Sequence, residues 1–245
     1  MKAMILAAGE GTRLRPLTLN TPKVMLSIAG RPLLEYILDL LRFHNITEVA
    51  INLHHLPKMV MDWLGNGGKF GIRVTYSVED TILGTAGALT KLRDSFDDTF
   101  VVIYGDMLTN LNISSLVGFH QAKGALATVT LFEVEDPSCY GIVELDNENR
   151  IRRFIEKPAP GVTFSNLASA GIYVLQPEVI DYIPSDTFCD FGYDLFPALL
   201  SKGARLFGYV TTDSVLDMGT IENYRRAERD LLEGKFLPKR ASSTK

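Results

Sequence analysis

Ten residues near the start of the chain, Gly9-Glu10-Gly11-Thr12-Arg13-Leu14-Arg15-Pro16-Leu17-Thr18, carry the parts of an anion site. Two glycines let the backbone turn tightly and approach a ligand closely. Successive N–H groups in such a loop form a nest for phosphate oxygens, and Arg13 adds a planar, permanently charged fork. The loop is not a GxxxxGK[ST] phosphate loop, and it lacks the third glycine of a dinucleotide fingerprint. Taken alone it also fits an ordinary strand-to-helix turn. Thr21-Pro22-Lys23 sets a second cation ten residues after Arg13, behind a proline-fixed turn. Two cations aimed at one triphosphate would offset the charge that develops on leaving pyrophosphate.

Two carboxylates stand at the ends of short apolar runs: Asp106 after Val102-Ile103-Tyr104-Gly105, and Asp217 after Val215-Leu216. Magnesium binds through one or two carboxylates and fills its other positions with water and substrate phosphates, so two aspartates suffice. Either could instead cap a helix or turn. Glu156-Lys157-Pro158 follows a further run ending at Ile155. It is either an exposed strand end, or a pair in which Lys157 meets a sugar phosphate and Glu156 sugar hydroxyls. His54 and His55 are adjacent, and neighbours on extended chain point opposite ways, so they are not expected to share a metal.

These residues need a frame that brings them together. Ala3–Ala8 is a continuous apolar run of strand length, which suggests burial on both faces. Apolar spacing predicts an amphipathic helix over Leu33–Phe43, a strand at Glu48–Leu53, a helix at Lys58–Leu64 stopped by Gly65, and a strand at Ile72–Ser77. A helix over Ala86–Leu92 and a strand at Thr99–Tyr104 follow. The first ~110 residues thus alternate strand and helix, the pattern of βαβ units. Ligands in such sheets lie beyond the carboxyl ends of the strands, so Gly9 and Asp106 should converge on one crevice. The second half reads as strands at Leu126–Val134, Gly141–Leu145, Ile151–Ile155, Ala170–Leu175 and Arg205–Val210, with a helix at Tyr193–Leu200. No linker or repeat divides the chain. One domain is expected over 1–238, with a polar, disordered tail over 239–245.

Of the 245 residues, 46% are apolar and 22% charged, and the formal net charge is -4. That balance disfavours a nucleic-acid binder, whose domains are usually basic. Cys139 and Cys189 make neither a CxxC pair nor a zinc spacing, and two isolated cysteines suggest a reducing compartment. The N-terminal apolar run is too short for a signal peptide, and no stretch approaches the length of a membrane helix. The expected location is cytoplasmic, with no membrane partner; homo-oligomerisation is left open.

In order and spacing, GEGTRLRPLT, TPK, LGTAGAL, YGD, EKP, AGIY and DMGTIENY resemble the sugar-1-phosphate nucleotidyltransferases, over Met1 to about Arg229. The motifs lie closest to those of mannose-1-phosphate guanylyltransferases. The resemblance implies an α/β fold with a Rossmann-like mixed, mostly parallel sheet and helices on both faces. It implies that a nucleoside triphosphate and a sugar-1-phosphate become a nucleotide sugar and pyrophosphate, with Mg2+ as cofactor on Asp106 and Asp217. Arg13 and Lys23 would hold the triphosphate. Leu6, Ala8, Gly9, Gly11 and Thr12 would hold the nucleotide, with Glu79, Gly84 and Thr85 near its base. Gly105, Gly141, Glu156, Lys157, Ser169 and Gly171 would line the sugar phosphate.

The chain departs from the family pattern at Val24, usually a second proline, at Ser169, often Asn in mannose-type members, and at Val215, often Trp. The last two bear on sugar choice. A carboxylate only accepts hydrogen bonds, and guanine's N1–H and N2–H edge offers donors, so Glu79 leans toward GTP with mannose-1-phosphate or a related manno- or heptose phosphate. The alternatives are a UTP- or dTTP-dependent glucose-1-phosphate enzyme, and a non-catalytic regulatory subunit that binds sugar nucleotides. A regulatory subunit would be expected to lose Arg13 or a metal aspartate.

Overall fold

The computed structural model describes residues 1–159, 161, 162 and 164–236; the tail expected over 239–245 lies outside them. In chain order the elements are β1 (Lys2–Leu6), a short hairpin β2 (Ser27–Ile28) and β3 (Arg31–Pro32), α1 (Leu33–Phe43), β4 (Glu48–Leu53), α2 (Pro57–Leu64), β5 (Arg73–Val78) and α3 (Gly84–Gly87). Then come β6 (Phe100–Tyr104), β7 (Met107–Thr109), α4 (Ile113–Lys123), β8 (Ala127–Glu133), β9 (Gly141–Leu145), β10 (Ile151–Glu156) and β11 (Leu167–Leu175). The last are α5 (Phe196–Ser201), β12 (Leu206–Val210), β13 (Val215–Asp217) and α6 (Ile221–Leu232).

The main sheet runs β10-β9-β11-β6-β1-β4-β5, with β8 bonded to β11 and β12. Strands β5, β4, β1 and β6 are parallel, as the alternating first half requires. β11 joins β6 antiparallel and is followed by the antiparallel β8, β9 and β10, while β12 lies parallel to β8. Each central strand sends alternate residues to opposite faces. Ala3, Ile5, Val101 and Ile103 pack against Leu34, Ile37, Leu38 and Leu41 of α1. Met4, Phe100 and Val102 face Phe191, Phe196 and Leu199. Burial on both faces is why these strands read as continuous apolar runs.

A third, smaller core positions one half of the site. Ile28, Leu33, Leu108, Leu216, Met218, Ala227 and Phe236 cluster beneath a two-stranded ribbon in which β13 runs antiparallel to β7. Neither three-residue strand was expected from the sequence, and neither were α4 and α6. α4 buries Ile113, Leu116, Val117 and His120 but is interrupted by Ser114, Ser115 and Gly118. α6 is polar along most of its length and buries only Ala227 and Asp230. Among the described residues, no helix is long and apolar enough to cross a membrane.

His120 lies wholly buried in α4, its Nδ1 2.9 Å from Thr128 Oγ1 and its Nε2 3.0 Å from Gln176 Nε2. Burial pushes its pKa down from 6.5 to about 4. Between those values the unfolded chain binds a proton that the folded one refuses. Stability therefore holds above pH 6.5 and falls as pH drops toward 4, by about 3 kcal/mol over the window. Thermal melts of wild type and His120→Gln at pH 7 and pH 4.5 check this: the fall in Tm is expected to be smaller in the variant.

Candidate active site

The carboxyl ends of β1 and β6 open side by side. Beyond β1, Gly11 takes a left-handed φ of 65°, where a Cβ would lie 2.9 Å from Thr18 Cγ2 and 3.3 Å from Lys23 Cβ. Thr18, itself buried, donates to Gly11 O at 2.8 Å and fixes the loop from behind. The next turn, Thr12–Leu14, is anchored by the fully buried Leu14 and leaves Arg13 beside the site. Beyond β6, Gly105 N donates to Leu6 O at 2.8 Å, and a Cβ on Gly105 would lie 2.8 Å from that same oxygen. Only glycine lets the two strand ends touch here.

Lys23 follows Pro22 on a short 3-10 turn, and its Nζ donates to Asp106 Oδ2 at 2.5 Å with both side chains largely buried. Asp217, at the end of β13, pairs across the ribbon with Met107, while Met218 N donates to Asp106 O at 2.8 Å. The register therefore sets the two aspartates together although 111 positions separate them. Asp217 Oδ1 is buried with no hydrogen-bond partner. Burial, and then the Asp106 charge, push its carboxyl above the usual carboxylate range, with Lys23 and Arg13 pulling the other way. A Cβ on Gly219 would lie 2.9 Å from both Arg13 Nη2 and Asp217 Oδ1, so the guanidinium and this carboxylate share one small space.

Two cavities meet at this point. The first, of about 310 Å³, is lined by Leu6, Ala8, Gly9, Lys23, Gly84, Thr85, Gly105 and Asp106, all singled out from the sequence. The second, of about 230 Å³, is lined by Arg13, Asp106, Gly141, Glu156, Lys157, Ser169, Gly171 and Asp217, again all singled out. Glu156 is wedged between glycines: a Cβ on Gly141 would lie 2.6 Å from its Oε2, and one on Gly192 would collide with the same oxygen. Its carboxyl is raised by burial, against the pull of Lys157. Lys157 adopts a φ of 46°, a conformation a side-chain-bearing residue takes only when its surroundings dictate it. Its Nζ lies 3.7 Å from Glu156 Oε1 and 5.9 Å from the centre of the Tyr193 ring. Gly171, with a φ of 65°, would place a Cβ 3.0 Å from the Tyr104 ring.

Gly11, Thr12 and Glu79 do not line either cavity. Glu79 is buried, with Oε1 accepting from Asn52 Nδ2 at 2.8 Å and Oε2 from Leu83 N at 3.0 Å. Asn52 stands between it and the cavity, its Oδ1 accepting from Ala7 N at 2.9 Å. The rings of His54 and His55 bond to different carbonyls, Glu79 O at 2.7 Å and Thr18 O at 2.9 Å.

Asn52 was missed in the sequence; its only signal is an amide in the otherwise apolar interior of EVAINL. Asp190 was missed as well, and it lines both cavities. Its Oδ2 accepts from Thr85 Oγ1 at 2.8 Å, and its Oδ1 from Gly192 N and Tyr193 N at 2.8 and 3.1 Å. One carboxylate thus ties α3 to the segment that wedges Glu156. An aspartate opening a helical run was the available signal.

A family model described as nucleotidyl transferase matches residues 2–234. The chain is 41% identical over 246 residues to the UTP–glucose-1-phosphate uridylyltransferase of Synechocystis sp., covering 95% of this chain and 63% of that protein. It is 36% identical over 234 residues to the mannose-1-phosphate guanylyltransferase of Mycobacterium tuberculosis, covering 95% and 65%. It therefore spans a little under two thirds of each of these relatives. Among solved structures, a Bacillus anthracis protein provisionally assigned as a glucose-1-phosphate thymidylyltransferase, solved with sucrose, superposes with a TM-score of 0.84 at 29% identity, covering 99% and 98% of the two chains.

Proposed function

The chain belongs to the nucleotidyl transferase family, and from that premise we propose that it joins a sugar-1-phosphate to a nucleoside triphosphate, releasing pyrophosphate. The observation that carries this is the junction itself. Arg13, Lys23, Asp106 and Asp217 gather where the two cavities meet.

A sugar-1-phosphate oxygen is already anionic near neutral pH, so attack on the α-phosphorus needs no general base and no covalent nucleophile. What remains is positioning and charge stabilisation. Gly9 and Lys23, which line the larger cavity, hold the triphosphate. Arg13, packed against Gly219, faces the developing charge. Lys157 holds the sugar phosphate, and Glu156 accepts from sugar hydroxyls. A divalent cation, Mg2+ in our reading, fits the aspartate pair: Asp217 presents a buried, unpartnered oxygen beside Asp106. Among the described residues no cluster of three His, Cys, Asp or Glu side chains offers a fuller cage, and two carboxylates suit an ion that takes its other ligands from phosphates. When bound, the ion supplies charge neutralisation between two anionic substrates.

Two pairings have specific support. The 41% identity to a uridylyltransferase favours UTP with glucose-1-phosphate. The 36% identity to a guanylyltransferase favours GTP with mannose-1-phosphate, the pairing suggested by Glu79. With both oxygens of Glu79 engaged by Asn52 and Leu83, that carboxylate gives guanine less support than its residue type alone suggests. Pyrophosphate release with Mg2+, measured for five nucleoside triphosphates against mannose-, glucose-, N-acetylglucosamine- and heptose-1-phosphates, tests the reading. Turnover with one pairing supports it; silence across the grid while nucleotide still binds turns it toward the regulatory alternative.

Gly192→Ala tests the sugar half separately. The added methyl meets the end of Glu156 and must displace it. KM for the sugar phosphate is expected to rise about tenfold with KM for the nucleotide unchanged, the signature of lost substrate binding on one side only.

A further inference from the structure

We propose that Phe188 is a base-neutral wall of the nucleotide site, its ring taking the flat face of the nucleobase whichever base is present. The proposal rests on the reading above, that the larger cavity holds a nucleotide. Phe188 is 66% exposed, more than any other aromatic side chain among the described residues. Its neighbour Cys189 is buried, and so are Leu195 and Phe196 further on.

The exposure is imposed by the backbone. Cys189 N donates to Leu83 O at 2.9 Å, and Cys189 O accepts from Ala86 N and Gly87 N at 2.9 and 3.0 Å. A Cβ on Gly87 would lie 2.8 Å from Thr187 O, and one on Gly84 would collide with Cys189 O. The segment therefore lies on α3 with no gap, and the ring has no route into the core. It lines the same cavity as Ile82, Ala8 and Gly9. Around Gly9 there is open space, with nothing within 4 Å of where a Cβ would stand.

The part of this cavity at Ala8, Ile82 and Phe188 is thus apolar, while Lys23, Asp106 and Asp190 supply its charge. That is the division of a nucleotide into base and phosphates. Every base has a π-face, so stacking adds affinity without choosing among bases. Selection by hydrogen bonding is left to groups that can reach the edge of the base.

The test uses the full chain with Mg2+ and measures binding of GTP and of UTP, without sugar phosphate, by calorimetry. Phe188→Ala is expected to weaken whichever of them binds wild type, by about tenfold. Where both bind, the factor is expected to be similar for the two. Phe188→Trp is expected to restore affinity. In turnover, the alanine variant is expected to raise nucleotide KM and leave sugar-phosphate KM alone. Unchanged nucleotide affinity in Phe188→Ala, a loss confined to one of two bound bases, or a loss in sugar-phosphate KM instead would overturn the proposal while leaving the reaction standing. A wild-type chain that binds neither nucleotide would overturn the nucleotide reading, and this proposal with it.

Discussion

Asp217→Asn is expected to lower turnover on the order of 10³-fold while leaving the protein at least as stable as wild type. The loss follows from removing one of the two carboxylates proposed to hold the cation, a contribution of several kcal/mol to transition-state charge stabilisation. The stability follows from the site's electrostatics. Asp217 is disfavoured as an anion by burial and by Asp106, and its Oδ1 has no partner. A raised carboxyl pKa means that ionising this group costs stability as pH rises through the carboxylate range toward that value, and a neutral amide removes the cost. Measuring kcat and Tm on the same preparation separates the two effects. Lost activity together with a much lower Tm would mark Asp217 as structural. Conserved activity would remove it from the site.

Arg13→Ala is expected to cost about 10²-fold or more in kcat, the loss seen when a preorganised donor to developing charge is deleted. Arg13 is exposed and lies on a turn anchored by Leu14, so the fold should not register its removal. Its position against Gly219 and beside Asp217 matters because charge stabilisation depends on donors already in place. Arg13→Lys is expected to recover only part of the rate, since an ammonium cannot present two parallel N–H groups to a phosphate. Steady-state kcat of both variants checks this; near-normal turnover in the alanine variant would mean that Arg13 plays no part in the chemistry.

The residues gathered at the candidate site were legible where the chain marks them twice, by residue type and by place. Gly9, Arg13 and Asp106 each follow an apolar strand, and an alternating strand-helix order already says where strand ends converge. Lys157 was legible as a cation near a strand end, but its left-handed backbone was not, because nothing in Glu-Lys-Pro announces a φ that only tertiary contacts enforce. Asp217 was legible as a carboxylate after an apolar run. Its meeting with Asp106 depends on a ribbon of three-residue strands, too short for periodicity to report. Glu79 shows the opposite limit. Its residue type suggested an acceptor for a base, yet Asn52 and the Leu83 amide meet its two oxygens, a fact of packing that no local pattern encodes. α4 escaped because Gly118 and two serines interrupt its apolar positions. α6 escaped because it docks through a narrow contact while most of its surface stays polar.

Asp190 gives the two halves of the site a common origin. One of its oxygens receives the Thr85 hydroxyl from α3, and the other caps the segment whose Gly192 wedges Glu156. The two cavities are therefore set relative to each other by a single half-buried carboxylate and a glycine.

The central claim is that the bond broken lies between the α- and β-phosphorus at the junction of the two cavities. Wild-type protein would be given Mg2+, the sugar-1-phosphate that supports turnover and, in parallel, the nucleoside triphosphate labelled at its α- or its γ-phosphorus. The account expects α-label in the nucleotide sugar and γ-label in pyrophosphate, with neither transfer in Asp217→Asn. Label from the γ-position appearing on the sugar phosphate or as free phosphate would contradict it.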